Sequence, residues 1–395
     1  MAIPRAQRAA LGRGPLSDQR RAVAINLGNG PVLSLSVIIP VFNGAQSLRQ
    51  CLECLQRSNT PPFECIVVDD GSSDGSAAIA ESAGATVLRT GAQSGPGTGR
   101  NLGAAQSSGD ILVFVDADVC VQTDTLDQIR ARFEADPTID ALFGSYDDEP
   151  GDLGLISQYK NLLHHYVHQQ GHIESTTFWS GCGAVRRTIF RALGGFQGLY
   201  PRPAMEDVEL GYRLRAAGHR IVLDPGIQVK HLKSWTVFGL IRCDILSRAI
   251  PWTRLILRCN RLPDDLNLAL SQRLTATFVL ASVALAGIGP FAGISPAWAL
   301  LTLATAVFLN RRFYRFLASK RGWLFVAQVL PLHLAYYFYS AVTFAAGVVL
   351  HVLVWRREDS RIPSRSIQPG RASEWTEMSG SMIPPALDRP AEHDN

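Results

Sequence analysis

Two carboxylates, Asp116 and Asp118, directly follow an uninterrupted apolar run over residues 111–115. Such a run predicts a buried parallel strand, and ligands of parallel sheets bind beyond the carboxyl ends of the strands. Hard oxygen ligands at this place suit Mg²⁺ or Mn²⁺, which usually also take phosphate oxygens from a substrate. A polar loop that merely caps a strand is the alternative, so the neighbouring segments must decide between the two interpretations.

Two further strand patterns precede this pair of carboxylates. Residues 35–39 form an apolar run that ends at Pro40, and residues 65–68 form another that ends in the acidic, Gly- and Ser-rich turn 69–75. Apolar residues at helical spacing lie between them, over residues 45–58. Strand, helix, strand and acidic turn describe a βαβ unit, and they predict an α/β fold with polar side chains at its ligand edge.

A glycine-rich stretch, residues 91–99, leads into Arg100 just before the next predicted helix. A guanidinium at this place can contact phosphate. The alternative is an ordinary surface arginine.

With these motifs the chain resembles the family 2 glycosyltransferases of the GT-A fold. The resemblance covers roughly residues 34–235 and keeps the family's order, through the segments 36–43, 67–74, 95–101, 109–118, 194–196 and 206–213. It implies a Rossmann-like, mostly parallel sheet flanked by helices. One departure is Gly97-Thr98-Gly99, where the family more often has alanines, so the contact made by that loop stays open.

The resemblance also implies roles for individual residues. A nucleotide-diphosphate sugar, expected to be a UDP-sugar, would bind at Pro40, Val41, Asn43, Asp69, Asp70, Arg100, Asp116, Ala117 and Asp118. Asp118 would hold the divalent cation, Mg²⁺ or Mn²⁺, that bridges the diphosphate. His231 is either a second metal ligand or a histidine packed on the acceptor side.

The pair Glu206-Asp207 is the candidate catalytic group. The resemblance implies that Asp207 is the base that takes the proton of the acceptor hydroxyl. Two acids in the first turn of a helix also stabilise its dipole, and both roles can hold together.

Other chemistry-bearing residues have simpler interpretations. His164, His165, His168 and His172 include an i, i+4 pair that could bind zinc, but no cysteine or acid with metal spacing accompanies them. We therefore expect a solvent- or phosphate-facing helix. Seven scattered cysteines do not form a disulfide framework, and Cys51 and Cys54 are expected to be buried helix residues rather than a redox motif.

The chain changes character after residue 236. Apolar residues over 238–256 step by three and four, and the arginines 242, 254, 258 and 261 project elsewhere, which predicts an amphipathic helix at a bilayer surface. The alternative is a helix that covers the sheet. Residues 274–309 carry no charge and are broken by Gly and Pro at 287–296, which predicts a hairpin of two membrane spans.

A basic loop, 310–321, follows the hairpin and is placed in the cytoplasm by the positive-inside rule, on the same side as the catalytic domain. Residues 322–355 are expected to form one further span, although the charge bias favours two. The predicted organisation is a disordered segment 1–33 that is not a secretory signal, a catalytic domain 34–235, an interfacial region 236–270, a transmembrane region 271–357 and a disordered tail 358–395.

These features predict an inverting glycosyltransferase that acts on a lipid or lipid-linked acceptor at the cytoplasmic face of a membrane, the inner membrane if the source is bacterial. A processive polysaccharide synthase is one alternative, but residues 248–252 are only weakly similar to the Q-x-x-R-W element of such enzymes. A non-catalytic membrane scaffold is another, which would not need the retained Asp118 and Asp207. Nucleotidyl transfer would leave Glu206-Asp207 unexplained.

Overall fold

The computed structural model describes residues 32–198, 202–259, 264 and 266–355. Almost all of the N-terminal segment predicted to be disordered, and the whole of the predicted disordered tail 358–395, lie outside the described residues. Arg261 lies outside them as well.

An eight-stranded mixed sheet forms the centre of the α/β domain, which extends from Leu35 to His231. Its strands are β1 (Leu35–Val41), β2 (Glu64–Asp69), β3 (Thr86–Arg89), β4 (Ile111–Val115), β5 (Val119–Val121), β6 (Ala141–Tyr146), β7 (Cys182–Arg186) and β8 (Ile221–His231). The order is β3-β2-β1-β4-β7-β6-β8-β5. The first four strands are parallel, and β7 then pairs antiparallel with both β4 and β6. The α/β class expected from the sequence is confirmed, and the sheet is mixed.

Helices cover both faces of this sheet because its central strands are apolar on both sides. The helices are α1 (Ala45–Gln56), α2 (Ser76–Ser82), α3 (Pro96–Gln106), α4 (Thr125–Ala135), α5 (Leu155–Gln170), α6 (Arg187–Ala192) and α7 (Glu206–Ala216). One core lies under α1 and α4, and the other lies under α3, α6 and α7. Among the described residues no two cysteines form a disulfide, and Cys51 is buried in the first core as expected.

A helical rod follows the α/β domain, from α8 (Val237–Arg242) through a π-helical segment (Cys243–Ala249) to α9 (Ile250–Cys259). Trp252 Nε1 donates a hydrogen bond of 3.2 Å to Tyr212 Oη of α7. The rod therefore covers a helix of the α/β domain, while Phe238, near its start, leaves 76% of its surface exposed.

Two helices then pack antiparallel: α10 (Leu270–Ile288) and α11 (Ala297–Leu309). Asn310 Nδ2 donates to Thr275 Oγ1 at the open end, and Ser282 Oγ donates to the Ala299 carbonyl nearer the turn. The 13 residues of α11 extend about 20 Å, less than a hydrocarbon core of about 30 Å.

The last element is α12 (Arg311–Leu350), which continues into a π-helical end (His351–Trp355). Among the described residues, the segments Leu270–Ala292 and Arg311–Trp355 are long and apolar enough to cross a membrane. Gly322 has a φ of +83°, so the axis of α12 changes direction there.

The part of α12 before this bend was expected to be a basic loop, and that expectation was wrong. Phe313, Tyr314 and Leu317 are buried in a core shared with α5, because they recur at helical spacing between the basic residues. Lys320 forms an ion pair with Asp148 of the α/β domain. The residues 311–321 are thus a helix docked on the α/β domain.

Candidate active site

Many of the residues singled out from the sequence lie at one edge of the sheet, which is formed by the carboxyl ends of its parallel strands. The strands β1, β2 and β4 are parallel neighbours, so their carboxyl ends meet at one edge. Asn43, Asp70 and Asp116 follow these three strands. The first half of α3 and the first turn of α7 reach the same edge, as the contacts of Arg100 and Glu206 show.

Asn43 and Asp70 each accept hydrogen bonds from the backbone of another loop. Asn43 has a left-handed backbone, with a φ of 49°, and its Oδ1 accepts a hydrogen bond of 2.9 Å from the Ser73 amide. The carboxylate of Asp70 accepts from the Ser94 amide at 2.9 Å and from the Gly95 amide at 2.8 Å. Both residues therefore fix the loops that form this edge.

Most of the other residues in this region that were predicted to bind the nucleotide sugar are buried. Pro40, Val41 and Asp69 are buried, and Asp69 Oδ1 accepts from the Ser72 amide at 2.9 Å. Phe42 lies at the same edge and is 44% exposed. Sequence reasoning passed over Phe42, although an exposed aromatic residue in an otherwise apolar strand end is a signal for base stacking.

Arg100 lies inside the protein rather than at a phosphate. Its Nη2 donates to Asp116 Oδ1 at 2.6 Å, and its Nη1 donates to Glu206 Oε1 at 3.1 Å. Only 3% of its surface is exposed, and a buried charge needs such partners. Arg100 therefore ties the end of β4 to the start of α7, which fixes the position of the neighbouring Asp207.

The glycines at the start of α3 explain the departure from the family pattern. A Cβ at Gly97 would lie 3.3 Å from Phe196 Cβ and 3.6 Å from Glu206 Cγ. A Cβ at Gly99 would lie 3.4 Å from Pro40 Cβ. The backbone of α3 thus packs closely on Glu206, and this loop contacts the protein on its inner side.

Asp207 presents a partly exposed carboxylate to the edge. Its Oδ2 accepts from the Ser180 amide at 3.2 Å and from Ser180 Oγ at 3.3 Å, and its Oδ1 accepts from its own helix at the Val208 amide. Burial and the charge of Glu206 raise the pKa of Asp207 to about 6, against the opposing charge of Arg100. A carboxylate with such a pKa is suited to accept a proton near neutral pH.

This pKa predicts an acid limb in the pH profile of any reaction that uses Asp207 as a base. The base must be deprotonated, so kcat/KM should fall about tenfold per pH unit below a pKa of about 6. The Ser180→Ala variant removes a donor that stabilises the charged form, so its midpoint should move to higher pH. The measurement is kcat/KM from pH 5 to 8.5. A kcat/KM that stayed constant down to pH 5 in both proteins would contradict the assignment.

Asp118 and His231 lie together on the other side of this edge. His231 Nε2 is 3.7 Å from Asp118 Oδ2, and the imidazole stacks on Tyr146 with ring centres 4.2 Å apart. Burial alone would raise the pKa of Asp118, but the imidazole of His231 and the charge of Lys233 outweigh burial and lower it. Tyr146, which holds the ring of His231, carried no signal in the sequence.

The donor set at Asp118 fits a cation that takes few protein ligands. The described residues hold no group of three or more His, Cys, Asp or Glu arranged to bind a metal. A carboxylate oxygen and an imidazole nitrogen would be the protein's share. Mg²⁺ is commonly held by one or two carboxylates plus water and substrate phosphate, so this sparse set is compatible with such an ion.

The helix α5 does not turn its histidines to solvent, so that expectation was wrong. His165 Nδ1 lies 2.7 Å from the Tyr146 carbonyl, and His168 Nδ1 lies 3.0 Å from the Gly144 carbonyl. Both side chains are buried because this face of α5 packs on β6, and burial lowers the pKa of His168 to about 4. His172 at the end of the helix is exposed.

The geometry agrees with the comparison to known families. Residues 36–194 match the family described as Glycosyl transferase family 2. This part of the chain is similar to glycosyl transferase family 2. The family 2 match contains Asp70, Arg100, Asp116 and Asp118, and it ends before Asp207 and His231. Those two residues are therefore candidates on geometry and chemistry alone.

Individual relatives match over short stretches. The chain is 40% identical over 91 residues to the glycosyltransferase AglE of Haloferax volcanii, covering 21% of this chain and 30% of that protein. It is 40% identical over 100 residues to an undecaprenyl-phosphate 4-deoxy-4-formamido-L-arabinose transferase of Serratia proteamaculans, covering 22% of this chain and 30% of that one. The matches thus span less than a third of either relative's length.

Among solved structures, the chain is similar to the mannosyltransferase PcManGT from Pyrobaculum calidifontis in complex with GDP-Man and Mn²⁺. The identity is 19% and the TM-score is 0.49, over 82% of this chain and 88% of that one.

Proposed function

We propose that the protein is an inverting glycosyltransferase that moves a sugar from a nucleotide-diphosphate sugar to a lipid or lipid-linked acceptor at a membrane surface. The observation that carries the proposal is the arrangement of Asp207. Its partly exposed carboxylate has a raised pKa, and the Arg100 network fixes its helix beside the edge that carries Asp116 and Asp118. A protein that only bound the donor would not need a base there.

In this proposal the acceptor hydroxyl oxygen attacks the anomeric carbon as the bond to the diphosphate oxygen breaks. Asp207 takes the hydroxyl proton, and attack from the face opposite the leaving group inverts the configuration. Ser180 orients the carboxylate through its amide and hydroxyl groups. A divalent cation bound at Asp118 and His231 would neutralise the charge that develops on the leaving diphosphate.

The C-terminal helices support an acceptor in the membrane. The rod α8–α9 touches α7, the helix that begins with the proposed base, and it also touches α12. The Trp252–Tyr212 hydrogen bond makes the first contact, and Gly347 makes the second, where an added Cβ would lie 2.7 Å from Thr253 Cγ2. The helix that begins with the proposed base is therefore connected through the rod to α12, which could enter a bilayer. A soluble acceptor gives no reason for this arrangement.

The docked part of α12 supports a cytoplasmic orientation. Arg312, Arg315 and Lys320 are exposed on the segment that packs on the α/β domain. Basic residues flanking membrane spans favour the cytoplasmic side. We infer that the α/β domain lies on that side.

The test is a donor screen followed by a product analysis on the full-length protein in membranes. Release of nucleoside diphosphate identifies the donor, and radiolabelled sugar from that donor should then appear in the organic-extractable fraction. The full chain is needed because a cut at Leu270 would remove Phe313, Tyr314 and Leu317 from the core they share with α5.

Membranes that carry the Asp207→Asn variant serve as the control and should give no extractable label. Label that is wholly water-soluble would contradict the lipid acceptor. Label in a long polymer would instead support a processive synthase.

A further inference from the structure

A buried charge cluster lies where α5, the π-helical segment and α12 meet. Lys160 Nζ of α5 donates to Asp244 Oδ1 at 2.7 Å, and Tyr339 Oη of α12 donates to Asp244 Oδ2 at 2.8 Å. Arg248 Nη1 is 3.8 Å from the same Asp244 Oδ1. Two cations thus share one carboxylate, which leaves a surplus positive charge.

The surplus charge is that of Arg248. Asp244 already accepts two short hydrogen bonds, whereas the 3.8 Å separation to Arg248 is too long for a hydrogen bond. Within the described part of the chain, the Arg248 guanidinium makes no closer polar contact. Its side chain is 39% exposed, while those of Lys160 and Asp244 are 9% and 4% exposed. The guanidinium is therefore the member of the cluster that a ligand can reach.

The charge cluster is connected to the candidate active site through α5. Lys160 lies one turn before His164 on α5, and the rings of His164 and Tyr146 have centres 4.4 Å apart. Tyr146 stacks on His231, which is next to Asp118. A series of side-chain contacts thus connects the charge cluster to the candidate active site.

The backbone at this point is itself unusual. Residues Cys243–Ala249 are π-helical between two α-helical segments. Single π turns within helices occur frequently at functional sites. This turn places both Asp244 and Arg248 at the junction with α5 and α12.

We propose that Arg248, supported by Lys160, binds the phosphate of a lipid-borne acceptor at the junction of the cleft and the membrane helices. The guanidinium suits this role because it binds phosphate oxygens through two parallel hydrogen bonds. The phosphate is bound but is not the nucleophile, because Asp207 takes the proton of an acceptor hydroxyl. This inference rests on the proposed function in taking the phosphate from a lipid substrate.

The test compares binding of a radiolabelled polyprenyl phosphate with that of the matched polyprenol, on full-length protein in mixed micelles. We expect the wild type to prefer the phosphate by about 10- to 100-fold, which is the range of a charge-assisted hydrogen bond. Arg248→Ala should abolish this preference, and Arg248→Lys should keep part of it.

Arg242→Ala is the matched control, because it removes the same charge from an exposed position on the same rod. This variant should keep the preference. An equal loss in both alanine variants would mean a general surface attraction and would overturn the proposal. Retention of the preference by Arg248→Ala would overturn it as well.

Two further measurements distinguish the phosphate of a lipid acceptor from the donor diphosphate and from a phospholipid headgroup. Nucleotide-sugar donor binding should be unchanged in Arg248→Ala, which also shows that the variant is folded. A fall in donor affinity alone would assign Arg248 to the donor diphosphate and overturn the proposal. Equal competition by phosphatidylglycerol at the same mole fraction would make the site a general headgroup site, with the same consequence.

Failure of this inference can be told apart from failure of the proposed function. If sugar is transferred to lipid and Arg248→Ala binds the phosphate as the wild type does, only the inference fails. If Arg248 determines the preference for phosphate but no sugar reaches a lipid, only the proposed function fails.

Discussion

Replacing Asp207 with asparagine is expected to lower kcat by about 100-fold or more, with donor binding unchanged. The amide has nearly the shape of the carboxylate and can still accept from the Ser180 amide, but it cannot take the acceptor proton. The measurement is steady-state release of nucleoside diphosphate in the presence of acceptor, together with equilibrium binding of the donor. A variant that kept more than about a tenth of the rate would show that Asp207 is not the base.

Glu206→Gln is the informative comparison, because Glu206 is adjacent in sequence and has a different task. Its carboxylate is one of two that pair with the buried Arg100, so its loss should destabilise the protein by about 1–3 kcal/mol. Asp207→Asn should not lower the melting temperature. The pKa of Asp207 is raised in the folded state, so at neutral pH its charged form opposes folding and the neutral amide removes that cost. Thermal unfolding of the two variants separates the base from its positioning network.

The ligand edge of the fold could be predicted from the sequence because its signals are local. Apolar runs predict the strands, and carboxylates directly after those runs must lie at the strand ends whatever the tertiary arrangement. The order of α and β segments then brings Asp70 and Asp116 to one edge. The antiparallel β7 in the middle of the sheet leaves no such signal, since its residues fit either direction.

What the sequence could not predict depends on contacts between distant segments. The partner of Arg100 is 106 residues away, so a phosphate contact and a buried ion pair were equally compatible with its position. The histidines of α5 have the same spacing whether they face solvent or β6. The basic residues around Phe313 predicted a loop, although the apolar residues among them gain more free energy when they pack on α5.

The second large effect concerns Asp118. We expect Asp118→Ala to abolish turnover and to remove the part of donor affinity that depends on a divalent cation. Donor binding is measured for wild type and variant, with Mn²⁺ and with excess chelator. The wild type should lose affinity in chelator, whereas the variant should bind the donor equally weakly in both conditions.

These four measurements show whether removing the Asp118 carboxylate and removing the cation have the same effect on donor affinity. If Asp118 acts through the cation, the variant with Mn²⁺ should match the wild type in chelator, and combining both changes should cost nothing further. His231→Ala should reduce the Mn²⁺-dependent part without abolishing it, because the carboxylate remains. If Asp118 instead contacted the sugar directly, the two losses would add. Full donor binding by the wild type in excess chelator would remove the cation from the proposed mechanism, and the charge of the leaving diphosphate would then need cationic side chains such as Lys233 near the site.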